Sequence, residues 1–199
     1  MEVECKKQQH FLLVHGACHG AWNWYEVVTK LRCDGYRVTA LDMAAAGVNP
    51  KRVEEIRSFY DYCQPLLEFL MALPPGEKVV LVGHSLGGAN ISLAMEKFPQ
   101  KIAVAVFVTA LMPGPCFPLT TVIDEYQRHA GSYMDCQYSF GNGDNKLPTS
   151  LLFGPKYMAS QLYQLSPPEV PFLRIFILQL KYQSQVRVRW TRARTARIR

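Results

Sequence analysis

The run Val79-Val80-Leu81-Val82 leads directly into Gly83-His84-Ser85-Leu86-Gly87-Gly88, and a helical run starts at once behind it. Few local patterns restrict a fold as tightly. The apolar, β-branched run reads as a buried strand, and GANISLAMEKF reads as a helix. Between them the chain must reverse sharply, with a serine at the tip. Side chains at 83 and 87 would clash with the strand and helix meeting there, so glycine at both places is required by packing. A serine hydroxyl is a weak nucleophile near neutral pH until a base takes its proton. What Ser85 can do therefore depends on the base the rest of the chain supplies.

The surrounding elements alternate in type. FLLV at 11–14 is a short strand, AWNWYEVVTKLRC at 21–33 a helix closed off by Gly35, and RVTALDM at 37–43 a second strand. VEEIRSFYDYCQPLLEFLMAL at 53–73 has an amphipathic helical pattern, in which Pro65 predicts a kink or break, before Pro74-Pro75-Gly76 ends it. The strand KVVLVG and a helix over 87–98 follow, then IAVAVFVTALMP as a fourth strand. Strand and helix in regular alternation predict a parallel sheet covered by helices on both faces. From 113 to 169 the rhythm is lost among Pro, Gly and Tyr residues, with one helical stretch near 120–129, which reads as a cap over the sheet.

The G-x-S-x-G pattern between a β run and a helical run resembles the nucleophile elbow of α/β-hydrolases. The loop after the first strand, His15-Gly16-Ala17-Cys18-His19-Gly20-Ala21-Trp22, then takes on a role. In that architecture a backbone N–H from this loop joins the N–H following the nucleophile to bind the oxyanion. The pair here is Ala17 and Leu86. The same loop can also be read as a tight glycine turn.

At these residues the chain resembles the plant methylesterases, relatives of the hydroxynitrile lyases. The likeness is carried by HGACHGAW, VTALDMAAAGVNP, EEIRSFYDYCQPLLEFLMALPPGEKVVLVGHSLGG, VAVFVTALMPGP, VIDEY and FGPKYMASQLYQLSPPE, over residues 10–169. It implies a single α/β-hydrolase domain needing no cofactor or metal, and hydrolysis of methyl esters of small acids such as jasmonate, salicylate and indole-3-acetate. The lyase branch has threonine after the first loop histidine and cysteine after the serine; Gly16 and Leu86 stand there instead, which favours the esterase branch. The resemblance also makes Tyr126, in VIDEY, a candidate for lining the substrate pocket, with plain packing in the cap as the alternative.

The triad's other members are the difficulty. Such enzymes supply Ser, then Asp or Glu, then His in chain order, and His129 is the one histidine after Ser85. Glu96, Asp124, Glu125, Asp135, Asp144 and Glu169 are the acids that follow it. His129 lies in the cap, four and five residues after Glu125 and Asp124, so an acid–histidine pair on one helix face is allowed. A base must still come within about 3 Å of the serine oxygen. His84, His15 and His19 belong to the elbow and the oxyanion loop. The expectation is a hydrolase with a nucleophile and an oxyanion hole but no triad acid or histidine, and hence inactive. The rivals are a non-catalytic binder of small apolar acids or esters, and a weak esterase using His129.

The likeness stops near residue 169, where the charge changes too. Residues 1–169 hold 14 Lys/Arg against 16 acids, a balance of −2; residues 170–199 hold 8 Lys/Arg and no acid. The expected organisation is an incomplete hydrolase domain over 1–169, with the cap at about 113–169 and the last strands and helix missing, then an unrelated basic tail over 170–199. A frameshift, altered splice or read-through would produce such a tail. VRVRW within it alternates like a strand and is a candidate to pair with the fourth strand's open edge. The tail lacks the Gly, Ser and aromatic interleaving of single-strand binders, so no nucleic-acid partner is expected. MEVECKKQQHFLLVHG is not a signal peptide, and no apolar run is long enough to span a bilayer, so no membrane partner is expected. Six single cysteines (Cys5, Cys18, Cys33, Cys63, Cys116, Cys136) suit a reducing, cytoplasmic compartment.

Overall fold

The structure is a computed structural model that describes residues 8–139 and 150–167, together with the backbone of 188–189. Its centre is a parallel sheet of β1 (His10–Val14), β2 (Arg37–Leu41), β3 (Val79–His84) and β4 (Ile102–Val108), in the order β2-β1-β3-β4. β1 pairs with β2 from His10↔Arg37 to Val14↔Leu41, and with β3 from His10↔Val79 to Val14↔Gly83. β3 pairs with β4 after an irregularity between Val79 and Val80. Three helices, α1 (Tyr25–Cys33), α2 (Phe59–Ala72) and α3 (Gly87–Lys97), make the crossovers.

The alternation of side chains along β1 sorts the helices between faces. Leu12 and Val14 enter a large core with Tyr62, Cys63, Leu66, Leu67 and Leu70 of α2 and Ala89, Ile91 and Ala94 of α3. Leu13 points the other way, joining Trp24, Val38 and Val82, with Val28 and Leu31 of α1 packed against them. The expected helices on both faces are therefore present.

Three local expectations are corrected. Of the kink or break expected at Pro65, the break is absent, for α2 continues through that residue. The pattern from Val53 onwards is also divided: a 3-10 turn, Val53–Glu55, precedes α2, whose cap Ser58 accepts a hydrogen bond from the Asp61 N–H at 3.0 Å. The VRVRW segment, so far as it is described, does not lie against β4. The backbone of β7 (Val188–Arg189) pairs with β6 (Ser150–Leu152), which pairs in turn with β5 (Gln137–Ser139), in a separate antiparallel sheet. Within the cap region stand α4 (Leu119–His129) and α5 (Pro155–Tyr157), the latter continuing into a π-helical turn, Met158–Leu162.

At the amino ends of the strands, His10 donates to Glu77 at 3.2 Å and meets the Thr39 hydroxyl at 2.9 Å, while Arg37 donates to the same Glu77 oxygen at 3.0 Å. This network ties β1, β2 and the approach to β3. The opposite, carboxyl edge is where the loops after β1, β2 and β3 gather, the usual location for ligands in such sheets.

Candidate active site

Ser85 sits between the end of β3 and the start of α3 with φ +53°, a left-handed conformation costing about 1–3 kcal/mol for a residue with a Cβ. Such strain persists only where the surroundings hold it. The Ser85 N–H donates to the Val108 carbonyl at 3.3 Å, and the Ser85 carbonyl accepts from Gly88 and Leu111, each at 3.0 Å. The elbow is thus fixed between α3 and the exit from β4. A Cβ at Gly83 would lie 2.7 Å from the Gly87 carbonyl oxygen, and one at Gly87 would lie 2.5 Å from that of Val14. Both glycines are needed for contact, as the spacing implies.

The loop after β1 is laid against this turn. A Cβ at Gly16 would be 2.9 Å from the Ser85 Cβ, so residue 16 lies directly against the serine. Ala17 and Leu86 are both buried. Neither of their N–H groups makes a hydrogen bond among the described residues. Buried, uncommitted backbone donors are uncommon and need a reason. Two of them beside one serine match what stabilising an oxyanion requires.

Each histidine near Ser85 has a partner. The fully buried His15 donates from Nδ1 to the Gly16 carbonyl at 2.8 Å, and its Nε2 accepts the Met43 N–H at 3.1 Å. Those two bonds define the neutral Nδ1–H tautomer. His19 donates from Nδ1 to the Ala17 carbonyl at 2.6 Å and pairs through Nε2 with the Tyr163 hydroxyl. His84 is half-buried and lies edge-on to Trp24, centroids 6.3 Å apart. His15 and His19 each have a ring nitrogen committed to the loop's backbone, and His84 packs on the α1 side.

Asp42, just past β2, looks at first like a reactive acid. Its Oδ1 instead accepts the Ala21 N–H at 2.7 Å, and its Oδ2 the Val48 N–H at 3.0 Å, so it pins two loops together. Only spatial neighbours reveal that role. The role of Tyr163 is likewise invisible in its local sequence, for its partner His19 lies 144 residues away.

Tyr126 stands on α4, in the segment after β4. It is half-exposed and neighbours Tyr157, whose hydroxyl is pushed upward in pKa first by burial and then by Tyr126. Tyr157 stacks on Tyr133 at 5.8 Å and tilts against Phe153 at 5.0 Å. The contacts found for Tyr126 are cap contacts. His129 is 78% exposed and pairs with Glu125 at 2.8 Å, so the acid–histidine pair that the spacing allows does form, on the solvent side of α4. Of the later acids, Asp135 is occupied structurally. Burial works to raise its pKa, yet the N–H groups of Lys156 and Tyr157 hold the carboxyl below its ordinary value. Asp144 and Glu169 lie outside the described residues. Among the described residues no cluster of His, Cys, Asp and Glu is arranged to hold a metal ion, and no helix is long and apolar enough to cross a membrane.

A parallel sheet carrying a strand–serine–helix elbow at its carboxyl edge defines the α/β-hydrolase class, and residues 9–139 match the α/β-hydrolase fold family. Within that family the chain belongs to the plant methylesterases. It is 59% identical over 165 residues to methyl jasmonate esterase 1 of Vitis vinifera, covering 82% of this chain and 63% of that one. To salicylic acid-binding protein 2 of Nicotiana tabacum it is 48% identical over 167 residues, covering 82% and 64%. The crystal structure of tomato methylketone synthase I complexed with 2-tridecanone superposes with a TM-score of 0.79 at 45% identity, over 92% of this chain and 68% of that one. The chain thus spans less than two thirds of the length of methyl jasmonate esterase 1 and of salicylic acid-binding protein 2.

Proposed function

We propose that this chain is a methylesterase-type carboxylic ester hydrolase scaffold that binds small plant acids or their methyl esters, but does not by itself turn them over. Ser85 is its nucleophile, and the N–H groups of Ala17 and Leu86 form its oxyanion hole. The observation that carries this reading is the pair of buried, uncommitted donors beside the strained serine. An ester carbonyl placed there would be polarised by both N–H groups. Attack by Ser85 then requires its proton to leave, and the single later histidine, His129, is exposed and paired with Glu125. Without triad partners turnover falls about 10⁶-fold, leaving roughly 10³–10⁴ over water from binding and the oxyanion hole.

The substrate class follows the relatives: esters of jasmonate- or salicylate-like acids, with Tyr126 at the cap side. The same reading divides the chain into a hydrolase unit over 1–169, its cap at about 113–169, and a basic tail over 170–199 with an origin outside the family. A cytoplasmic setting belongs to it as well, on the free thiols of Cys18, Cys33, Cys63, Cys116 and Cys136.

The test compares the unmutated chain with Ser85→Ala on a p-nitrophenyl ester and a panel of methyl esters. Equal rates, with saturable binding of methyl jasmonate or salicylate, are the expected result. A clearly faster unmutated chain overturns the inactivity. His129→Ala then decides whether the exposed pair on α4 supplies the base.

A further inference from the structure

The oxyanion loop is held from two directions. On the core side, the Met43 N–H donates to His15, and His15 donates to the Gly16 carbonyl. That carbonyl shares a peptide plane with the Ala17 N–H, so the imidazole sets the plane's orientation and polarises its donor. On the cap side the next peptide is held differently. Cys18 has φ +57°, and the loop turns there through a conformation its side chain disfavours. Two contacts brace it. The Cys18 thiol, which burial pushes up to about 12 and so keeps protonated, donates to the Leu151 carbonyl at 3.3 Å. His19 donates from Nδ1 to the Ala17 carbonyl, which fixes its Nε2 as the acceptor of the Tyr163 O–H.

Both braces come from the cap region, Leu151 from β6 and Tyr163 from just beyond the π-helical turn. Trp22 stacks on His19 at 5.4 Å and packs with Met158, Tyr163 and Leu162, which closes this junction. His19 and Tyr163 are both buried.

We infer that Tyr163 is a positioning residue for the oxyanion hole: its hydroxyl fixes His19, and His19 fixes the Ala17–Cys18 peptide beside the donor. The inference rests on the assignment of Ala17 as an oxyanion donor. It makes cap docking a condition for a properly aimed hole, because the hydroxyl that completes the chain of hydrogen bonds arrives with the cap.

Tyr163→Phe tests this, since it keeps the ring packed against Met158 and Trp22 and removes only the O–H. In amide-resolved NMR of the full chain, the Ala17 and Cys18 signals and the His19 ring nitrogens shift in Tyr163→Phe, while Leu81 and Val82 of β3 do not. Leu162→Ala is the packing control: it loosens the same cluster and leaves the Ala17 and Cys18 signals in place. In parallel, Ser85-dependent p-nitrophenol release is measured with imidazole added as an external base. Where release is detectable, Tyr163→Phe lowers kcat about 10–100-fold with KM little changed. Where it is not, the NMR comparison alone decides. Coincident Ala17 and Cys18 signals in Tyr163→Phe and the unmutated chain overturn the inference, as does an equal response in Leu162→Ala. A Ser85-dependent rate without imidazole counts against the proposed lack of turnover and leaves this inference standing.

Discussion

At Gly88 two demands on one residue oppose each other. It lies in the first turn of α3, where alanine is the better helix former by about 1 kcal/mol. Yet a Cβ there would press on the Leu111 carbonyl oxygen and come within 2.7 Å of the Ala110 Cβ. The Leu111 N–H also holds the Ser85 carbonyl, so the obstruction would be relieved by moving the segment that braces the elbow. Gly88→Ala is therefore destabilising, by about 1–3 kcal/mol as for other overpacked sites. Gly131→Ala, whose Cβ meets nothing within 4 Å, changes stability by less than about 0.5 kcal/mol. Denaturant midpoints of the two variants check both expectations. The elbow itself is readable from local spacing, because its glycines and serine are consecutive and their clashes are with each other's elements. His19, Tyr163 and Asp42 are not readable in that way. Their partners lie on other segments, and nothing in the local pattern records which carbonyl or hydroxyl a folded loop will face.

Among the elements, α2 shows why a local rule loses to packing. Pro65 forfeits a backbone hydrogen bond and crowds the preceding turn, at a cost of about 3 kcal/mol in a helix interior. Tyr62, Cys63, Leu66, Leu67 and Leu70 on both sides of it are buried in the main core, each leucine stabilising by about 1.5–3 kcal/mol. Breaking the helix would turn part of that row out of the core, so the helix continues. The strands' lower ends are held by charge instead. Glu77 is kept below its ordinary 4.5, first by the His10 hydrogen bond and, against the opposing effect of burial, by the Arg37 guanidinium. A carboxyl depressed in the folded state contributes stability that is fully present above its unfolded pKa and disappears as pH falls through the folded value. The melting temperature of the unmutated chain should therefore drop below about pH 4.5 more steeply than that of Glu77→Gln. Parallel curves for the two would assign the acid sensitivity elsewhere.

For the whole molecule, the alternation of strand and helix made the parallel sheet legible as far as β4, and the loss of rhythm after residue 112 falls where that sheet's strands end. The far pairing of Val188–Arg189 with β6 was not legible, since a short alternating segment carries no information about its partner or register. That pairing bears on solubility. Among the described residues β4 pairs only with β3, and Val104, Val106 and Val108 are 53%, 38% and 39% exposed along it. Ile102–Val108 contains no charge, no proline and no glycine. Natural sheets guard an edge with such residues, because unpaired N–H and C=O groups backed by apolar side chains recruit further strands. Val104→Lys places a charge at the most exposed of the three valines without removing a buried contact. It should suppress light scattering during refolding at micromolar concentration while leaving the denaturant midpoint within about 0.5 kcal/mol of the unmutated chain. If scattering is unchanged, β4 is covered in solution by a further part of the polypeptide, and association must begin at another surface. If it falls, the open edge of the sheet limits how long this hydrolase scaffold persists as a free molecule.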